Sequence, residues 1–132
     1  MRAQSGDGKQ GRMIMSFAVN HVHLKTTDPV ATAKFYVENF GATIKSEIPG
    51  RGIQVDLHGL QLNITTKIAS QNHEQNYGIE HIALNTQDFT GTLSALKANG
   101  VKILEEMIGG SGHRVCFLQA PDGAQMEIIE KP

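Results

Sequence analysis

The chain has one cysteine, Cys116, no tryptophan, two tyrosines and four prolines among its 132 residues. A single cysteine excludes an internal disulfide framework, and a reduced thiol points to a cytoplasmic protein. No apolar run reaches the roughly 20 residues of a membrane helix. The first residues carry a few positive charges but no apolar stretch of the kind a signal peptide needs. A dominant charge is missing too. The 12 basic and 13 acidic residues leave a net charge of −1, which excludes the electrostatic footprint of a nucleic-acid binder. The expected partner is a small molecule, with no nucleic acid and no membrane. The hydrophobic content of 39% suffices for one core.

Residues 1–14 open on "MRAQSGDGKQGR", polar and glycine-rich. They read as a disordered leader or a vector-derived extension, and residues 15–132 as a single domain. What fills that domain is a phrase written twice. Asn20 set over Glu80 brings His21 onto His81, Leu24 onto Leu84, Asp28 onto Asp88 and Asn39 onto Asn99, at an offset of 60 residues. A period found only twice implies a duplicated unit rather than a solenoid, with modules at about 17–68 and 77–132.

Each copy predicts a strand, His21–Lys25 or His81–Asn85, and then a helix. Asp28 is a good N-cap with Pro29 behind it at the first helical position. Val30, Ala33, Val37 and Phe40 form an apolar stripe at helical spacing, and Gly41 stops the helix. In the second copy Asp88 caps, Phe89, Leu93 and Leu96 form the stripe, and Asn99–Gly100 ends it. Three short strands follow each helix. In the first copy they lie near Thr43–Glu47, Ile53–Leu57 and Leu60–Thr65. In the second they lie near Lys102–Glu106, Arg114–Leu118 and Gln125–Ile129. "PGRG", "HG", "GGSG" and "APDG" mark the turns between them. The fold class is α+β: βαβββ twice, mostly antiparallel, with the helices on one side.

Strand alternation places His21 and His23 on one face. The ends of the copies also align, "LQLNITTK" over "AQMEIIEK", which pairs Asn63 with Glu127. His21 and His81 are polar on strands whose other face carries Val22 and Leu24, or Ile82 and Leu84, Glu127 lies between Met126 and Ile128, and all three are read as pointing away from the layer under the helices. Two imidazoles and a carboxylate converging there would make a divalent metal site with open positions. Each residue alone would more simply be a satisfied core or surface group; their repetition at matched places argues for metal.

The phrases "NHVHLKTTDPVATAKFYVENFGA", "IEHIALNTQD" and "LQAPDGAQMEIIE" resemble the vicinal oxygen chelate superfamily, the group of glyoxalase I, methylmalonyl-CoA epimerase, extradiol dioxygenases and bleomycin-resistance proteins. The resemblance implies two βαβββ modules forming a curled mixed sheet around a metal cup, with helices outside. It also implies His21, His81 and Glu127 as ligands of one divalent ion (Zn, Ni, Co, Mn or Fe), and a homodimer. The fourth family position falls on Asn63, where glutamate or glutamine is usual. Asn63 is a weak ligand, a donor behind a ligand, or a pocket-wall residue.

The implied chemistry is of the glyoxalase I type, a lyase or isomerase. A substrate with neighbouring oxygens passes through an enediolate, and Glu127 is the candidate catalytic base. Two His and one carboxylate also match a ring-cleaving Fe(II) dioxygenase. A third reading is a drug-sequestering protein without catalysis. Around the site, His23 is expected to line the pocket, Lys25 to reach for its rim, and Cys116 to pack in the core. "GGSG" is expected to be a turn, or a lid over the cup. His58 and His73 are expected to be solvated.

Overall fold

The computed structural model describes residues 16–131; the expected leader lies outside them. Among the described residues the order is β1 (Phe17–Lys25), α1 (Pro29–Phe40), β2 (Thr43–Ile48), β3 (Gly52–Leu57), β4 (Leu60–Thr65), β5 (Gly78–Thr86), α2 (Phe89–Ala98), β6 (Lys102–Ile108), β7 (Arg114–Gln119) and β8 (Gln125–Glu130). This is βαβββ twice, as the repeat predicts. The strands form one sheet in the order β2-β3-β4-β1-β5-β8-β7-β6. β1–β4 and β5–β8 run parallel, and every other pairing is antiparallel. Residues near both edges, Ile48 of β2 and Ile108 of β6, line the same cavity as His21 and Glu127 in the middle. The sheet therefore curls around a cup rather than lying open.

The helices begin as expected. The Asp28 carboxylate accepts from the Ala31 amide at the start of α1, and Asp88 accepts from Gly91 at the start of α2. Gly41 ends α1 at φ 72, the left-handed conformation that costs glycine least. The apolar stripe of α1 differs from the expected one. Ala33, Tyr36 and Val37 meet Leu24, Val55, Leu62 and Ile64, whereas Val30 and Phe40 are 66% and 56% exposed. Ala33 and Val37 of the expected stripe are kept, and Tyr36 joins them while the two ends are left out. In α2 the expected Phe89, Leu93 and Leu96 pack on Cys116, Leu118 and Ile128. The two cores lie under the two helices, and the other face of the sheet is left to the cup.

Candidate metal centre

β1 and β5 pair about a centre where Val22 faces Ile82 and His23 faces His81. Residues at equal offsets in the two modules are thus exchanged across this centre, and His21 trades places with His81. The ladder skips one residue on each strand, Asn20 and Glu80. Each bulged residue immediately precedes the histidine, and a bulge turns its side chain onto its neighbour. Asn20 Oδ1 lies 2.5 Å from His21 Nδ1, and Glu80 Oε1 lies 2.9 Å from His81 Nδ1.

These contacts fix the Nδ1 protons. Asn20 gives its own N–H to Asn85, so its oxygen faces His21. An amide oxygen and a carboxylate only accept, so both Nδ1 atoms carry hydrogen, and in the neutral rings both Nε2 lone pairs point inward. Glu127 comes from β8, beside β5. Its Oε1 lies 3.0 Å from His81 Nε2 and 3.7 Å from His21 Nε2. His21 Nε2 is buried with no hydrogen-bond partner. Three acceptors thus face one another, an arrangement that requires a positive species among them: a proton on His81 or a metal ion. The donor set, two imidazoles and a carboxylate, suits a divalent ion.

The acidities agree. Burial lowers His21 to about 4, opposed by Glu127 and reinforced by His81. Burial also disfavours charge on His81, but Glu127 and Glu80 outweigh it and raise this imidazole above its ordinary value.

His23 adds a third ring, with its centroid 4.7 Å from that of His81. One nitrogen from each of His21, His23 and His81 falls in a cluster whose atoms lie within 4.8 Å of one another. His23 has the opposite tautomer. Thr65 donates to the Thr66 carbonyl, so its oxygen accepts from His23 Nε2–H at 2.8 Å, and Nδ1 keeps the lone pair. Burial first, then the neighbouring His81 and His21, lower His23 to about 2. His23 breaks the pseudo-symmetry, because Ala83 stands at its place in the second module. Asn63 is beside His23 in the ladder and lines the cavity, with its Oδ1 accepting from Gln61.

Two expectations are overturned. Lys25 does not reach the rim. Its side chain is fully buried, with Nζ 3.1 Å from Glu80, 2.7 Å from Gln71 and 2.6 Å from Gln75. Burial lowers its pKa, with Glu80 opposing. Burial pushes Glu80 the other way, but His81, the Asn76 amide and Lys25 hold it below the usual carboxylate range. His73 is not solvated either. Its side chain is 2% exposed, bonded to Glu105 at 2.6 Å and stacked on Phe117 at 4.2 Å. Both surprises come from the segment between the modules, residues 66–77, which folds back over the cup. Alternation along β1 shows which way Lys25 points, but not that a linker covers it. His58 is exposed, as expected, with its Nε2 2.6 Å from the Phe40 carbonyl, and Cys116 is buried in the second core.

The sequence family described as the Glyoxalase/Bleomycin resistance protein/Dioxygenase superfamily matches residues 18–128. The chain belongs to this superfamily. Among its relatives, glyoxalase I of Saccharomyces cerevisiae is 27% identical, with 84% of this chain and 44% of that protein covered. Lactoylglutathione lyase of Haemophilus influenzae is 23% identical, with 83% and 90% covered. The chain thus spans less than half of the yeast superfamily member and most of the bacterial one. Methylmalonyl-CoA epimerase from Mycobacterium tuberculosis superposes with a TM-score of 0.67 at 17% identity, covering 86% of this chain and 87% of that one. A hypothetical protein from Bacillus halodurans reaches 0.71 at 20% identity, covering 89% and 96%. The fold is that of the superfamily.

Proposed function

We propose that residues 15–132 form a divalent-metal-dependent enzyme of the glyoxalase I-like type, a lyase or isomerase acting on a small substrate with two neighbouring oxygens. One observation carries the reading: two inward Nε2 lone pairs and the Glu127 carboxylate meet at the floor of one cavity, each imidazole held from behind by a bulged residue. His21, His81 and Glu127 would hold the ion, with His23 and Asn63 beside it. The ion would supply Lewis-acid stabilisation of negative charge on the substrate oxygens.

The rest falls to the chain's own groups. Glu127 is the carboxylate among the residues that line the cup and would take the proton next to the carbonyl, leaving an enediolate. Asn63 cannot take a proton, so no second carboxylate stands opposite. The cup, about 750 Å³, is within the size range of small-molecule sites. Phe117, Val115 and Ile129 in its wall keep the proton transfer away from bulk water. The names of the yeast and Haemophilus relatives support a lyase. The bond between Asn63 and Gln61 favours a three-ligand set and so keeps the Fe(II) ring-cleaving dioxygenase as the second reading.

A homodimer belongs to the same proposal. β2 and β6 are sheet edges, and exposed Ile44 and Ile108 lie on them. Unpaired edges of this kind are commonly covered by a partner.

The test is metal binding by calorimetry and elemental analysis on wild type, His21→Ala and His81→Ala, with circular dichroism checking the fold. One divalent ion per wild-type chain, weakened at least ~10-fold in both variants, is expected. Nickel, cobalt or zinc favours isomerisation, and iron that reacts with oxygen favours ring cleavage. Unchanged affinity in both folded variants overturns the metal reading.

A further inference from the structure

The duplicated modules supply an internal control for one residue. Gly52 faces Thr65 in the first module and Val115 faces Ile129 in the second. Arg51 and Arg114, one residue earlier, therefore occupy the same place, as do Thr66 and Glu130. Arg114 is neutralised. Its Nη2 and Nε meet Glu130 Oε2 at 2.8 and 3.1 Å, Nη1 donates to Thr90, and the guanidinium lies over the Phe89 ring.

Arg51 has Thr66 where Arg114 has Glu130, and its side chain has no hydrogen-bond or ion-pair partner among the described residues. Unlike Arg114, it lines the cup. Lys25, the other cation close to the floor, is spoken for by Glu80, Gln71 and Gln75. A guanidinium set on a cavity wall without a carboxylate of its own can receive an anion from outside. The walls also differ. Arg51, Gln54 and Asn63 line one side, whereas Met107, Ile108, Val115 and Phe117 line the other.

We propose that Arg51 receives the carboxylate of a substrate whose apolar body lies against the β6–β7 wall. The placement of the substrate's paired oxygens at His21, His81 and Glu127 rests on the proposed function; the anion contact at Arg51 does not. The substrate class narrows to an organic acid carrying its reactive oxygens at a distance from the carboxylate.

The probes are hexanoate and hexanamide, which share a hydrocarbon chain and differ in charge. They are titrated by nuclear magnetic resonance into the full chain as purified and after chelation, for wild type, Arg51→Gln and Arg114→Gln. Both substitutions lie at exposed positions. Wild type should prefer hexanoate by about tenfold or more in both preparations. Arg51→Gln should lose that preference and Arg114→Gln should keep it. A preference that survives Arg51→Gln but vanishes on chelation assigns the carboxylate to a bound metal. That result overturns the role of Arg51 while supporting the metal reading. Equal binding of the two probes, no binding of hexanoate, or equal losses in the two variants also overturns it.

Discussion

Glu127 stands where two imidazoles aim their lone pairs, and the reading of the site turns on what its carboxylate does. Glu127→Gln keeps an oxygen of similar shape but removes basicity. In the isomerase reading it should lower turnover by more than ~10²-fold, the low end for general-base catalysis, while part of the metal affinity remains. Turnover and calorimetry on the same samples check this, and full activity with full affinity would make the carboxylate structural. Asn63→Glu should tighten metal binding, and in the dioxygenase reading it should also depress turnover by filling a position that oxygen needs.

The histidines give a pH prediction for the chelated protein. His21 and His23 have folded values lowered to about 4 and about 2, so they stay neutral in the fold while the unfolded chain takes up protons below ~6.5. Their contribution is complete above ~6.5 and is lost as the pH falls toward 4. His81 is raised, so its contribution is present below ~6.5 and is lost as the pH rises through its folded value. Two groups outweigh one, and stability by urea unfolding should drop on the order of 2 kcal/mol between pH 7 and about pH 5. A flat or rising profile would contradict the buried, neutral state of His21 and His23. The converging residues were legible in the sequence because duplication marked them. The tautomers were not, since they depend on Thr65 and on the bulges at Asn20 and Glu80, which strand alternation does not register.

At the level of elements, each helix is started by one aspartate. Asp88→Ala should cost about 1 kcal/mol in urea unfolding, with the strands and the metal site intact. Strand order offers a sharper test at Gly52. A Cβ there would lie 1.8 Å from the Ile64 carbonyl oxygen, and backbone cannot yield to it cheaply. Gly52→Ala should destabilise by roughly 1–3 kcal/mol and displace the β2–β3 turn that carries Arg51. Hydrogen-exchange protection of β3 and β4 would report it, and unchanged protection would refute the close approach. The strands were legible to within a few residues because glycine and proline punctuate them. β1 and β5 proved longer at their starts, since pairing with each other extends both beyond the apolar alternation. The middle of the α1 stripe, Ala33 and Val37, is legible in the spacing, but its ends are not, because the sheet beneath decides how far along the helix the contact runs.

For the whole molecule, the two open edges lead us to expect a homodimer, with light scattering giving twice the chain mass. A monomer mass at all concentrations would remove that part of the proposal. The central pairing of β1 with β5 has a further consequence, for the order in which the protein can be made. On the ribosome, the first module emerges with His21 and His23 but without β5, which pairs with β1 on its other side, and Glu127 is synthesised 106 residues after His21. The nascent first half can offer His21 and His23 but neither His81 nor Glu127, and its β1 leaves an unpaired edge. The cup floor cannot be complete before both halves are translated, so the full set of His21, His81 and Glu127 is open to an ion only after that.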